Sequence, residues 1–337
     1  MKTQIVYVVV SSEKDLFLEE LWASLFSLRI YHPEATVKVL VDAPTAKRIH
    51  ATPALNAMIT EVVTVEVPEH YSPMACSRVI KTTIRNTIDG PFLFMDTDTV
   101  VCHSLDDVDN LDCDIAAVPD LHHPLKSHMA KNLIENRGKQ YFDKDLSDAT
   151  YYFNSGVMYV ADNEQTHKFY QQWYKNWESY FSQSGHGADQ PALIATDKEF
   201  GYIIQKLPDV FNCQMALTVK FLHEAFIVHF FHMDFVKDQS YSPFMGLDIY
   251  REIKRAGGIT PHAEELIRNC KSSWDTTTMI VGKPQIDFLF SPTGQAFTFL
   301  RSQNKTWSRI LDWLAKKIIK YYRGKEKIKE KLNKNKK

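Results

Sequence analysis

Two short, unbroken apolar runs set the frame of this chain: residues 5–10 (Ile-Val-Tyr-Val-Val-Val) and 92–95 (Phe-Leu-Phe-Met). Neither alternates with polar positions, as is usual for strands covered on both faces of a parallel sheet. Residues 37–41 and 61–67 read as two further strands. Between the strands the apolar positions fall at helical spacing. Leu16, Leu21, Leu25 and Leu28 mark a helix over 15–31 that stops before Pro33, and a second helix over 77–87 is broken by Asp89-Gly90-Pro91. Strands alternating with helices predict an α/β fold with a mostly parallel, doubly wound sheet. Beyond residue 110 the pattern predicts a strand over 115–118 and a polar, irregular stretch over 122–149 with a helical piece near 127–137. It then predicts a turn into a strand over 151–160, an aromatic-rich core helix over 167–181, a helix opened by Gly187-Ala188-Asp189-Gln190-Pro191, and a strand over 226–231 carrying His229.

The run at 92–95 leads directly into Asp96-Thr97-Asp98-Thr99-Val100-Val101. Residues two apart on a strand point to one side, so the two carboxylates would share a face at the strand's C-terminal end. Carboxylates that close repel unless something neutralises them, and a hard divalent cation does so. Ligands of open α/β sheets sit outside the carboxyl ends of the strands, where such a cation could hold a phosphorylated substrate. A solvated turn after a strand is the plainer alternative.

Several features follow in order: a strand-terminal Asp-Thr-Asp, the sequence Phe153-Asn154-Ser155-Gly156-Val157, Asp189-Gln190 at a helix start, and a strand-borne His229. This ordered set resembles the GT-A glycosyltransferase superfamily, in particular glycosyltransferase family 8 (glycogenin-like enzymes and bacterial lipooligosaccharide galactosyltransferases), over roughly residues 5–234. The resemblance implies a Rossmann-like, mostly parallel sheet flanked by helices. It also implies a metal-dependent, retaining transfer of a hexose from a nucleotide-sugar, a UDP-sugar by preference, to a glycan acceptor. In those terms Asp96, Asp98 and His229 would hold Mn2+ or Mg2+, and with it the donor diphosphate. Arg78 and Lys81, one helical turn apart, would form a basic pair near the nucleotide, and Ser11 would lie near the base. Asn154 and Asp189 would hold the donor sugar, with Gln190 beside them in the catalytic set and Asp189 the placed candidate for a nucleophile. A solvated helix face is the alternative for Arg78 and Lys81, and a tight turn the alternative for Asn154 to Gly156.

One departure from the family pattern matters. Family 8 continues His-x-x-Gly-x-x-Lys-Pro-Trp after its metal histidine, whereas His229 is followed by Phe-Phe-His-Met-Asp-Phe-Val-Lys. Lys237 is out of register for the diphosphate-binding lysine, and His232 stands as a second candidate ligand. The run Phe94-Met95-Asp96-Thr97-Asp98-Thr99 also fits the first motif of haloacid-dehalogenase-like phosphohydrolases, with Asp96 as nucleophile and Asp98 as acid/base. That motif closes the first strand of its domain, whereas three strand-helix units come before Asp96, and no later Gly-Asp-x-x-x-Asp exists. A noncatalytic sugar-binding homologue is a third reading.

Charge adds a division within the chain. Residues 305–337 hold thirteen Lys or Arg against three acids, a net +10, so the overall −1 leaves −11 on the first 304 residues. Trp307, Ile310, Leu311, Leu314 and Ile318 recur at helical spacing beside Lys316, Lys317, Lys320 and Arg323, as in a helix lying on an anionic lipid surface, with a terminal helix packed on the domain and ending in solvated lysines as the alternative. We therefore expect a catalytic domain over 1–304, with the nucleotide-sugar side over roughly 1–120 and the acceptor side over 121–304, followed by a basic amphipathic tail over 305–337. With the rest of the body acidic, no nucleic-acid partner is expected. Five cysteines without zinc spacing or a paired framework, and an N-terminus that runs straight into a strand, predict a cytoplasmic protein on the inner face of a membrane.

Overall fold

The structure is a computed structural model and describes residues 1–68, 70–215, 219–231, 242–273, 283–303 and 305–334. The chain divides into two compact units, residues 1–278 and 279–337, each described by itself. The first contains β1 (Gln4–Val9), α1 (Phe17–Tyr31), β2 (Val37–Val41), α2 (Ala43–His50), α3 (Pro53–Asn56), β3 (Glu61–Thr64), α4 (Pro73–Thr82), β4 (Phe92–Met95), β5 (Thr99–Val101), β6 (Ile115–Pro124), α5 (Lys131–Phe142), β7 (Tyr151–Val160), α6 (Glu164–Ser184), α7 (Gln190–Glu199), β8 (Ile204–Lys206), β9 (Cys213–Gln214), β10 (Ile227–His229), α8 (Asp248–Ala256) and α9 (Pro261–Arg268). The second contains α10 (Lys283–Phe290), α11 (Pro292–Gln303) and α12 (Lys305–Lys334).

Seven strands form the main sheet in the order β3-β2-β1-β4-β7-β6-β8. The first four are mutually parallel, and β6 pairs parallel with β8. Only β7 runs against its neighbours β4 and β6. The sheet is thus mostly parallel, as the alternation of strands and helices predicts. The chain leaves β1 for β2 on one side and later returns to β4 on the other, so a switch point lies between β1 and β4. Both strand ends there carry expected site residues, Ser11 beyond β1 and Asp96 beyond β4. The loop before β4 turns at Gly90 with φ +79°, a conformation a glycine adopts without steric cost.

A second sheet of three strands, β5-β10-β9, stands apart from the first. The run at 92–101 is therefore two strands in two sheets, and Asp96 to Asp98 form the turn between them. Strand alternation does not bring the two aspartates together; the turn does. The segment at 154–156 differs from expectation too. It is no turn but the buried middle of β7, and Gly156 has no positive φ. A Cβ there would collide with the His229 ring and come within 2.8 Å of Asp96 Oδ2. That glycine is required for close approach, not for bending.

The core lies on both faces of the main sheet. One face packs against α1, α8, α9 and the small sheet; the other packs against α4 and α6, whose Phe169, Tyr170, Trp173 and Trp177 are all buried. The aromatics of α6 are core, as the pattern predicts. Helix α1 is buried nearly throughout, Glu19, Glu20, Ser24 and Ser27 included, because it is covered by sheet on one side and by β5 and α8 on another. In the second unit α12 exposes Trp307, Ile310, Trp313, Leu314, Ile318, Ile319, Tyr321 and Tyr322. Among the described residues no helix is long and apolar enough to cross a membrane.

Leu93 tests how far the fold leans on β4. It is fully buried between Ile5 of β1 and Tyr159 of β7. Leu93→Ala should cost about 2–5 kcal/mol, read as a lower midpoint with an unchanged slope in denaturant unfolding.

Candidate functional site

The site assembles where β4 hands over to β5. The N–H of Asp96 donates to the Gly156 carbonyl at 2.7 Å, which ties the start of the turn to β7. The N–H of Phe230 donates to the Asp98 carbonyl at 2.8 Å, and His229 pairs with Thr99 in the β5–β10 ladder. Two sheets thus fix the two ends of one short turn. As a result, carboxylate oxygens of Asp96 and Asp98 and a ring nitrogen of His229 lie within 4.8 Å of one another. His229 Nε2 is 3.0 Å from Asp98 Oδ1. Its Nδ1 is 3.0 Å from Asn212 Oδ1, and the Asn212 amide donates in turn to Asn154 Oδ1 at 2.9 Å. With its nitrogen committed to Asn154, Asn212 offers its oxygen to His229. Nδ1 is then the donor and Nε2 faces the aspartates, the arrangement found in metal-binding histidines.

The opposite flank is basic. Lys81 is only 2% exposed. Its Nζ donates to Asp96 Oδ1 at 3.1 Å and to Ser155 Oγ at 3.2 Å, and lies 3.3 Å from Asp189 Oδ2. Arg78 Nε is 3.5 Å from Asp189 Oδ1. Neither residue belongs to a solvated helix face; both turn toward the carboxylates. Burial works to raise the Asp189 carboxyl, but Lys81, Arg78 and the Ser155 hydroxyl at 2.8 Å outweigh it and hold the group down to about 2.

Asn154 and Gln190 meet at a residue the sequence reading passed over, Asp120. Asn154 Nδ2 and Gln190 Nε2 donate to Asp120 Oδ1 at 3.2 and 3.1 Å, while His128 Nε2 lies 3.0 Å from Oδ2. A signal existed: Asp120 follows the apolar 115–118 much as Asp96 follows 92–95. The backbone just past it is strained, with Leu121 and His122 at φ +51° and +62°, and β6 shifts register there. Asn212 carried no signal, because its partners are 58 and 17 residues away. Ser11 stands apart from this group. Its hydroxyl donates to Asp15 Oδ1 at 2.5 Å and accepts from Arg48 at 2.9 Å, and none of its hydrogen bonds reaches the aspartates. His232 and Lys237 lie outside the described residues.

The donor set suits a hard divalent cation: two carboxylates and one imidazole on a preformed turn, with Gly156 leaving room that any side chain would fill. The rest of the site, two cations beside a buried carboxylate and two amides around a second one, offers both charge for phosphate and hydrogen bonds for hydroxyl groups.

No curated protein matches the chain. Among solved structures, the galactosyltransferase LgtC in complex with donor and acceptor sugar analogs aligns at 17% identity over 80% of this chain and 100% of that one, with a TM-score of 0.49. Mouse xyloside xylosyltransferase 1 in its apo form aligns at 11% identity over 68% of this chain and 97% of that one, with a TM-score of 0.45. The glycosyltransferase GlyE of Streptococcus pneumoniae TIGR4 aligns at 16% identity over 69% and 56%, again at 0.45. Those overlaps are too loose to carry argument. A family model described as Glycosyl transferase family 8, however, matches residues 50–233, more than half of the 337 and inclusive of every element of the aspartate cluster. The phosphohydrolase reading of the Asp-Thr-Asp run falls away with that match, and the chain belongs to glycosyl transferase family 8 and is a glycosyltransferase.

Proposed function

We propose that the protein moves a hexose from a UDP-sugar to a glycan acceptor with the help of Mn2+ or Mg2+ and with retention of anomeric configuration. The observation that carries this reading is the convergence of Asp96, Asp98 and His229. Those three would hold the cation, which when bound acts as a Lewis acid on the departing diphosphate. Lys81 and Arg78 supply fixed positive charge at the edge of the same carboxylates. Asn154, Gln190 and Asp189 present polar groups to the sugar, and Ser11 marks the β1 end of the switch point, on the nucleoside side. In the transfer the bond from the anomeric carbon to the diphosphate oxygen breaks and one to an acceptor hydroxyl forms. The hydroxyl proton leaves with the nucleoside diphosphate. Asp189 anchors this arrangement and does not attack. A carboxylate engaged by Lys81, Arg78 and Ser155 and held down to about 2 is a weak nucleophile.

The acceptor reading rests on the second unit. The exposed apolar side chains of α12 next to the +10 charge of residues 305–337 suit an anionic bilayer, so we infer a lipid-linked or cell-surface glycan as acceptor and a site of action on the inner face of a membrane. Each Lys or Arg near such a surface contributes about 1 kcal/mol, which salt screens.

Three outcomes are expected. Asp96→Asn and Asp98→Asn should each lower transfer on the order of 100-fold or more, because even outer-shell partners of metal ligands cost 10–100-fold. A donor screen with Mn2+, reading slow hydrolysis of UDP- and GDP-sugars, checks both the activity and the nucleotide, and full activity in either variant would remove the metal role. UDP binding measured by calorimetry should need Mn2+ and weaken in His229→Ala; unchanged affinity there, with a loss in His232→Ala, would move the ligand to His232. Deleting residues 305–337 should abolish sedimentation with anionic vesicles while sparing donor hydrolysis, and added salt should weaken the intact protein's attachment.

Acid titration gives a fourth. The folded Asp189 carboxyl lies below its unfolded value of about 3.9, so its contribution to stability is present above that value and is lost as pH falls toward about 2. Asp189→Asn should therefore flatten this part of the acid unfolding curve; an unchanged curve would count against the ion pairs with Lys81 and Arg78.

A further inference from the structure

Helix α1 carries four buried polar side chains, Glu19, Glu20, Ser24 and Ser27, and the last three, of which the two serines are fully inaccessible, share one side of it. Serine is a poorer helix former than alanine, and a buried hydroxyl without a partner is costly, so packing alone does not account for them. Their spacing of four and three residues puts them on one stripe of the helix. That stripe runs along the segment just past the first metal-site aspartate and meets every second residue of it. Thr97 Oγ1 donates to Glu20 Oε2 at 3.2 Å, Thr99 Oγ1 is 3.0 Å from Ser24 Oγ, and the Val101 N–H donates to Ser27 Oγ at 2.8 Å.

The middle rung reaches the metal site itself. The Thr99 hydroxyl donates to the Asp96 carbonyl at 2.7 Å. Its lone pair must then accept from Ser24, and the Ser24 lone pair accepts from Tyr7 OH of β1 at 2.9 Å. One terminal carbonyl thus fixes the direction of the whole series: Tyr7 to Ser24 to Thr99 to Asp96. Burial pushes the Tyr7 phenol above its usual range, which keeps it a donor. Because the Asp96 N–H is held by Gly156 and its carbonyl by Thr99, the backbone on both sides of this ligand is fixed.

We propose that Glu20, Ser24 and Ser27 of α1, with Tyr7 and Thr99, are positioning residues for the cation: they hold the Asp96–Asp98 turn in its ligating shape before the metal arrives. The inference rests on the metal role proposed for Asp96, Asp98 and His229. Their hydrogen bonds named above run to Thr97, to the Asp96 carbonyl and to the start of β5, so the five would act through the turn and the strand it leads into, as outer partners of metal ligands do.

The test separates hydrogen bonding from packing at Thr99. Thr99→Val keeps the shape and loses the hydroxyl, whereas Thr99→Ser keeps the hydroxyl and loses the methyl. Mn2+ binding to the full chain in saturating UDP is read from the electron paramagnetic resonance of free Mn2+, alongside thermal unfolding. A positioning role predicts a loss of Mn2+ affinity of about 10–100-fold in Thr99→Val and near-wild-type affinity in Thr99→Ser. Wild-type affinity in Thr99→Val, or a loss confined to Thr99→Ser, would overturn the proposal and leave Thr99 as packing. Should Thr99→Val fail to fold, Ser24→Ala takes its place: weaker Mn2+ binding supports the proposal, and unchanged binding overturns it. Wild-type protein that binds no Mn2+ with UDP present would instead sink the metal reading itself, and this inference with it.

Discussion

Two like charges held side by side are the constraint on which this site is built. Carboxylate oxygens of Asp96 and Asp98 lie within 4.8 Å. At an effective dielectric of about 20, unit charges at that distance repel by roughly 3 kcal/mol. The chain meets this with Lys81 on the Asp96 side, 3.1 Å from Oδ1, while the Asp98 carboxylate faces the ring of His229 at 3.0 Å. A third carboxylate, Asp189, shares Lys81 and adds Arg78, so its charge is balanced as well. The protein thus supports three acids in one partly buried region, and the surplus negative charge at the turn is what a divalent cation would meet.

Holding that turn takes two sheets. Strand β4 lies in the middle of the main sheet and β5 belongs to the small one, so the two residues flanking Thr97 are pinned from different directions. Gly156 of β7 and His229 of β10 close on Asp96 and Asp98 from either side, and the absence of a Cβ at Gly156 lets them. Helix α1 backs the same turn with polar groups instead of apolar ones. A helix buried on more than one side would ordinarily show apolar residues all round; three of the four polar exceptions on α1, Glu20, Ser24 and Ser27, meet the turn and the strand that follows it.

Around Asp120 the same economy recurs with amides in place of cations. Asn154 and Gln190 share one oxygen of Asp120, and His128 holds the other. Asn154 also receives Asn212, which orients His229, so the amides around Asp120 and the imidazole beside Asp98 belong to one continuous set of hydrogen bonds. A change at either end would be felt at the other.

Much of this was legible in the sequence, because it follows from short-range rules. Unbroken apolar runs gave β1 and β4, the Asp89-Gly90-Pro91 break gave the turn before β4, and the order of motifs gave the family and nearly every polar residue around the cluster. Periodicity also marked the aromatics of α6 as core. What it could not give was the partner of each side chain. Asn154 to Gly156 has the composition of a turn, yet pairing on both sides draws it into a strand, since a buried backbone must find hydrogen bonds. Asp96 and Asp98 converge through a turn between sheets and not through strand alternation, because β5 pairs with β10 more than a hundred residues later. Asn212 and the stripe on α1 become visible only once distant segments touch, and so do the partners of Asp120, though its place after an apolar run was there to be read. The sequence by itself determined the elements and the chemistry available; the tertiary structure decided which charges neutralise one another, because electrostatics and hydrogen bonds depend on distance in space, which sequence separation does not measure.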